Sequence, residues 1–193
     1  WVAYIDPTEG VVFRATADDG ATFPPESKRI LSRAGEIVAN EAPACAVEDN
    51  TIWVGYGVSS APNNTAESAQ LGAVHIAISS DLGRSFSKRE TIVESGSEIM
   101  HPQIALQPRA TLHIGYTVRS SDSGDGVFVV RTLPADAPMT EARRIRVVRF
   151  VARRAERGWS GDYMGMAWSP TGLYAAIVDN RDAEPHIDVE RIP

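Results

Sequence analysis

The chain has a single cysteine, Cys45, among its 193 residues, so no internal disulfide can brace it and its stability must come from packing. It has no long apolar run; the longest fall far short of the roughly 18 to 20 consecutive residues that a membrane-spanning helix needs. The four histidines and one cysteine form no group with the spacing of a dedicated zinc site, and no acidic loop has the ligand order of a calcium loop. No metal or other cofactor is therefore expected. No Ser, His and Asp set matches a recognised nucleophile motif, and no signal or transit segment is visible. Overall positive charge is missing too: 19 Lys and Arg against 25 Asp and Glu leave −6, which argues against a nucleic acid partner in a chain without a binding motif for one. Helical periodicity is absent. The apolar runs are short, rich in Val, Ile and aromatics, and broken by Gly, Pro, Asn and Asp, which predicts an all-β fold.

What is present is a repeated turn. Thr16-Ala17-Asp18-Asp19-Gly20-Ala21-Thr22-Phe23 and Ser79-Ser80-Asp81-Leu82-Gly83-Arg84-Ser85-Phe86 share Ser/Thr, Asp, Gly, Ser/Thr and Phe at matching positions. The carboxylate can accept backbone N–H bonds inside a tight turn, glycine can take the positive φ it needs, and the aromatic can anchor the outgoing strand.

Each turn is preceded by a similar pair of strands. Trp1-Val2-Ala3-Tyr4 and Gly10-Val11-Val12-Phe13-Arg14-Ala15 match Trp53-Val54-Gly55-Tyr56 and Gly72-Ala73-Val74-His75-Ile76-Ala77. A third copy, Leu112-His113-Ile114-Gly115-Tyr116 with Gly126-Val127-Phe128-Val129-Val130-Arg131, turns at Pro134-Ala135-Asp136-Ala137 without the motif. A fourth runs from Gly161 through Leu173-Tyr174-Ala175-Ala176-Ile177-Val178 to Arg191. A repeat of roughly 40 to 60 residues built of short strands is the mark of propeller blades of about four strands. The segment Ser120-Ser121-Asp122-Ser123-Gly124 begins like the turn motif but precedes the third strand of its unit, and reads as a polar loop.

Both turns resemble the Asp-boxes, or BNR repeats, of sialidase-type β-propellers: Thr16, Asp18, Gly20, Thr22 and Phe23 in one, Ser79, Asp81, Gly83, Ser85 and Phe86 in the other. The resemblance implies one β-propeller domain over 1–193, with blades at about 1–40, 41–97, 98–157 and 158–193. Strands should number three, four, four and three. The open register suggests part of a larger, six-bladed ring, completed by the rest of the propeller or by a partner. The same resemblance favours an extracytoplasmic location, whether periplasmic, cell-surface or secreted. Cys45, on the expected innermost strand of the second blade, reads as a buried inert thiol. Asn63-Asn64-Thr65 is a glycosylation sequon in a loop.

In such a blade the loops entering the first strand and joining the second to the third emerge together, opposite the Asp-boxes. That gathers a candidate ligand rim of Glu98, His101, Arg119, Asp162, Tyr163, Asp179 and Arg181, with Asp122 in the same loop set. Sialidases use three arginines to grip a carboxylate, a Tyr beside a Glu as nucleophile and an Asp as acid/base. Here the acid beside Tyr163 is Asp162, and a third rim arginine is missing. Arg191-Ile192-Pro193 spells a tripeptide found near the start of sialidase domains but falls at the end of a third strand, a coincidence of spelling. No catalytic residues are assigned. The preferred expectation is a noncatalytic propeller that serves as a binding or scaffold module for a protein partner. The alternatives are an exo-sialidase or related glycoside hydrolase completed from outside this segment, and a carbohydrate-binding propeller.

Charge is uneven. Positions 143 to 157 hold seven arginines and one acid, Glu156, a local +6 that leaves −12 elsewhere. Alternation around Arg144-Ile145-Arg146-Val147 fits an outermost strand with its arginines in water. Arg143, Arg144, Arg146 and Arg149 are also the candidates for a basic interface.

Overall fold

A computed structural model describes residues 1–38, 42–59, 71–94, 97–108, 111–120, 126–150, 164–179 and 186–193; for 71, 120, 145–150 and 179 it describes the backbone only. The strands in chain order are β1 (Val2–Asp6), β2 (Gly10–Arg14), β3 (Arg29–Ile30), β4 (Ala44–Glu48), β5 (Thr51–Ser59), β6 (Leu71–Ser79), β7 (Lys88–Ile92), β8 (Ser97–Gln107), β9 (Thr111–Ser120), β10 (Gly126–Pro134), β11 (Arg143–Phe150), β12 (Gly165–Ser169), β13 (Gly172–Asp179) and β14 (His186–Ile192). Two single 3-10 turns, at Pro25–Ser27 and Met139–Glu141, are the helical pieces among the described residues. The strands form four antiparallel meanders, β1-β2-β3, β4-β5-β6-β7, β8-β9-β10-β11 and β12-β13-β14. Among the described residues the all-β expectation and its three, four, four, three division of strands therefore hold.

Strand alternation explains how the sheets stack. On β5, Ile52, Val54, Tyr56 and Val58 point into a core shared with the first sheet, where Val11, Phe13, Leu31 and Val38 meet them. The intervening Trp53 points the other way, into a core shared with the third sheet through Ile99, Ile104, Leu112, Ile114 and Tyr116. On β10 the same period sends Val129 and Leu133 toward the second sheet and Phe128 and Val130 toward the fourth, where Leu173, Ala175 and Ile177 lie. Middle strands with both faces covered lose the polar-out pattern, and β5 is buried from Ile52 to Val58. Each interface is close-packed, so truncating a fully buried side chain such as Ile114 to Ala costs about 2–5 kcal/mol.

The paired Gly-Tyr of the repeat has a packing reason. A Cβ on Gly55 would lie 3.1 Å from Ile104 of β8, and one on Gly115 would lie 2.6 Å from Phe128 Cζ and 3.1 Å from Met166 Sδ of β12. In both blades the missing side chain lets the next blade's innermost strand come close.

The two repeated turns carry one hydrogen-bond set. Thr22 N and Thr22 Oγ1 donate to Asp18 Oδ1 and Oδ2 at 2.9 and 2.6 Å; Ser85 N and Ser85 Oγ donate to Asp81 at 2.8 and 2.6 Å. Thr16 and Ser79 hydroxyls donate to the same carboxylates and receive the N–H groups of Gly20 and Gly83 at 3.2 and 2.8 Å. Positive φ falls at Asp19-Gly20 (55°, 91°) and Leu82-Gly83 (58°, 79°). Phe86 then packs edge-on against Phe13 of the first sheet, ring centroids 5.0 Å apart. The turn at Pro134-Ala137 is closed instead by Ala137 N donating to Pro134 O at 3.0 Å.

Candidate functional site

The sheets have two unlike ends. The repeated turns share one end with the β4–β5 hairpin, to which Leu82 N donates at Asn50 O (3.0 Å). The other end holds the starts of β4, β8 and β12 and the finishes of β5, β9 and β13. The innermost strand β8 packs between β4 and β12, so its side chains near this end lie between neighbouring blades.

Glu98 opens β8 and stands in register with Arg119, which closes β9. Glu98 is 9% exposed; its Oε2 accepts from Arg119 Nε at 2.6 Å and is ion-paired to Nη2 as well. Three residues along β8 the ladder slips between Met100 and Gln103, and His101 takes φ 54° within that bulge. The other non-glycine positive-φ residues, Asp19, Asp49 and Leu82, sit in turns, so among the described residues His101 alone takes this backbone inside a strand. It is buried, at 8% exposed. A bulge next to a buried charged pair re-aims a strand in the way that binding sites commonly use.

Of the expected rim, Glu98 and Arg119 are thus brought into contact and His101 lies on the same stretch of strand. Asp179 is placed at the same end by its backbone, as the last residue of β13. Asp122, Asp162, Tyr163 and Arg181, like Asn63-Asn64-Thr65, lie outside the described residues. Arg119 differs from the expectation in one respect: its guanidinium is already engaged by Glu98 rather than open to a ligand's carboxylate.

The sequence reading missed a second kind of cluster, which occurs twice. Glu94, just before β8, accepts from Tyr116 Oη at 2.6 Å, Arg131 Nη2 at 3.2 Å and Arg144 Nε at 3.1 Å; Arg131 Nε also donates to Tyr116 Oη at 2.8 Å. One blade earlier, Glu36 takes Arg89 Nη2 at 2.6 and 2.8 Å, and Arg89 lies over the ring of Tyr56, whose hydroxyl donates to Leu31 O at 2.9 Å. In each case the segment leaving one blade is tied to the second and fourth strands of the next. The recurring Gly-Tyr dipeptide was the available signal.

Tyr116 beside Glu94 has the composition of a phenol activated by a carboxylate, but its environment works against that chemistry. Burial, and then Glu94, push the phenol up to about 12, and burial does the same for Tyr56. Both rings are fully buried. Burial alone would raise Glu94; hydrogen bonds from Tyr116 and Arg144 outweigh it and leave the carboxyl below its ordinary value. A protonated phenol held by an ionised carboxylate and two arginines is a brace between blades. Cys45, on β4, is half-buried with its thiol pushed up to about 12 by burial, which makes it a poor nucleophile.

Between the second and third sheets, at the end that carries the repeated turns, a groove of about 300 Å³ is floored by Trp53, Ile76, Leu112 and Leu133 and edged by Asp49, Glu90 and Asp136. Among the described residues no group of three His, Cys, Asp or Glu could hold a metal ion, and no helix is long and apolar enough to cross a membrane.

No protein-family model matches the chain, and no curated protein matches it in sequence. Solved structures do match in shape. An α-L-arabinanase of Penicillium chrysogenum complexed with arabinobiose aligns with a TM-score of 0.55 at 14% identity, over 92% of this chain and 51% of its own. A GH93 α-L-arabinofuranosidase of Fusarium graminearum, also with arabinobiose, aligns at 0.54 and 14%, with the same coverage of each chain. The chain thus spans about half the length of these structures. At this identity the likeness is one of fold: with its four stacked meanders, the chain has a β-propeller architecture.

Proposed function

We propose that the chain is a carbohydrate-binding β-propeller, with blades over about 1–40, 41–97, 98–157 and 158–193, that receives its glycan at the sheet end bearing Glu98, Arg119 and His101. The observation that carries this reading is the buried Glu98–Arg119 pair at the mouth of the innermost strand, beside the positive-φ bulge at His101. Sugar hydroxyls are read by fixed donors and acceptors, and a charged pair held in place provides both at one spot. Asp162, Tyr163, Asp179 and Arg181 are proposed to complete the rim. The repeated turns at Asp18 and Asp81 support the Asp-box assignment through their shared hydrogen bonds. With it goes the proposed extracytoplasmic place. Calorimetric titration with arabinobiose and short arabinans tests the reading: measurable binding abolished by Arg119→Ala supports it, and absence of binding to any glycan on an array refutes it.

A second reading, glycoside hydrolysis, is favoured by the two solved structures, one named an α-L-arabinanase and the other a GH93 α-L-arabinofuranosidase. Such chemistry needs two carboxyl groups roughly 5 to 9.5 Å apart. Glu98 is the carboxylate that β8 and β9 bring to this end, and Asp162 and Asp179 are candidates for the second. Release of nitrophenol from an arabinofuranoside or of a fluorophore from a sialoside, lost in Asp162→Asn or Tyr163→Phe, would decide for the enzyme over the binding module.

A further inference from the structure

Among the described residues, the strand β11 is the outermost of its sheet and is hydrogen-bonded to β10 alone. Outer strands are usually protected from pairing by a charge or two. In this protein the other outermost strands use few or mixed charges: β7 reads KRETI, β14 reads HIDVERI and β3 is Arg29–Ile30. By contrast β11 reads RRIRVVRF, four arginines and no acid, and opens the segment 143–157 whose net charge is +6 in a chain of −6. That exceeds what edge protection requires.

The described side chains show how the charge is arranged. Arg144 pairs in register with Arg131 of β10, like charges opposite one another, which is unfavourable without an anion between them. Glu94 is that anion. Its Oε1 accepts from Arg131 and Arg144, and its Oε2 accepts from Arg144 Nη2 at 3.4 Å. Two guanidiniums therefore share one carboxylate and the cluster stays positive. Arg143 and Arg144 are both exposed, and Arg144 retains 44% side-chain exposure despite its contact with Glu94.

We propose that the β11 edge is a docking surface for a linear anionic glycan, a polymer carrying carboxylates along its length. Guanidinium is planar and matches carboxylate with two parallel hydrogen bonds, so arginine rather than lysine is the residue for this ligand. Positions two apart on a strand, such as 144 and 146 of β11, recur about every 6.8 Å along it. The edge of β11 that no described strand pairs with offers backbone donors and acceptors for sugar hydroxyls. The choice of a glycan over other polyanions rests on the carbohydrate-binding reading above. The surface itself is separate, because β11 is the outermost strand of the sheet and Glu98 opens the innermost.

The test titrates the chain with polygalacturonate at low and at high ionic strength, with neutral arabinan as the control polymer. The triple variant R143Q/R146Q/R149Q keeps Glu94, Arg131 and Arg144 in place. It should bind polygalacturonate more weakly by on the order of tenfold, and the wild-type affinity should fall steeply with salt. Its arabinobiose binding should be unchanged, whereas Arg119→Ala should lose arabinobiose and keep polygalacturonate. Three results overturn the proposal: no binding of wild type to polygalacturonate, undiminished binding by the triple variant, or equally tight binding of polyglutamate or duplex DNA. If circular dichroism shows the triple variant misfolded, Arg143→Gln alone decides by the same readout, and an unchanged affinity refutes the docking surface. Failure with arabinobiose alongside success with polygalacturonate would sink the rim reading and leave this one standing.

Discussion

Tyr116 donates its hydroxyl proton to Glu94 at 2.6 Å across the seam between the second and third blades. Tyr56, its counterpart one repeat earlier, donates instead to a backbone carbonyl, Leu31 O, at 2.9 Å. The same position in the repeat thus carries a charge-assisted bond in one blade and a neutral one in the other. The two phenylalanine substitutions should differ accordingly. Tyr116→Phe leaves a part-buried carboxylate short of a donor and should cost about 2–3 kcal/mol, while Tyr56→Phe should cost about 1 kcal/mol. Urea unfolding of the two variants measures the difference, and equal costs would show that Glu94 gains nothing from the phenol.

The braces explain what could be read from the chain and what could not. The strands were legible because each interface takes alternate side chains: Trp53 one way, Val54 and Tyr56 the other. The turns were legible because Asp, Gly and Ser/Thr recur at fixed offsets. Glu36 and Glu94 were invisible because they sit in connecting segments with no period, and their partners Arg89, Arg131 and Arg144 lie on strands whose distance in space the sequence does not display. Arg144 read as a solvated edge residue; it is exposed, but it also closes over Glu94. Arg119 could be placed on the rim by counting strands, but its capture by Glu98 depends on the register of β8 against β9, where the bulge at His101 resets the pairing.

Gly115 should be intolerant of a side chain. A methyl there meets Phe128 Cζ at 2.6 Å and Met166 Sδ at 3.1 Å, both in the seam to the fourth blade. Gly115→Ala should destabilise by about 1–3 kcal/mol through overpacking. Adding Phe128→Leu should recover part of the loss, since it removes the atom that is struck. A double variant no more stable than the sum of the two singles would place the strain elsewhere.

Asp18 and Asp81 should titrate together at unusually low pH. Side-chain hydrogen bonds from Thr16 and Thr22 hold Asp18 at about 2, and Ser85 followed by Ser79 does the same for Asp81, against an ordinary value of 3.8. A folded-state value below the unfolded one means each turn adds stability above pH 3.8 and gives it up as pH falls through about 2. Carboxyl chemical shifts followed by NMR should show both groups ionised at pH 3. Asp81→Asn should flatten the acid limb of the stability curve. Midpoints near 3.8 would mean that the hydroxyl bonds do not persist in solution.

Cys45 should be nearly inert toward thiol reagents at neutral pH. Burial pushes its thiol up to about 12, and the thiolate is the reactive form. Reaction with an aromatic disulfide reagent should be slow in buffer and fast in denaturant, so the labelling rate reports opening of β4 against β5. Rapid labelling of the folded chain would show that this strand is not held as described.

The state of Arg119 sets a prediction about which sugars the rim prefers. An arginine free in a pocket grips a sugar acid through its carboxylate, but here Nε and Nη2 of Arg119 both face Glu98. A carboxylate-bearing ligand would have to displace Glu98, which is 9% exposed and would be left buried without its partner, a loss of several kcal/mol. Neutral sugars meet no such penalty, because they can bond to the pair as it stands. The wild-type rim should therefore prefer arabinobiose to sialic acid. Glu98→Gln removes the competing charge while keeping an acceptor for the guanidinium, and should raise affinity for sialic acid by about tenfold or more with little effect on the neutral sugar. Parallel titrations of the two ligands against wild type and variant measure this, and a wild-type preference for the acid would show that the Glu98 contact opens when ligand arrives.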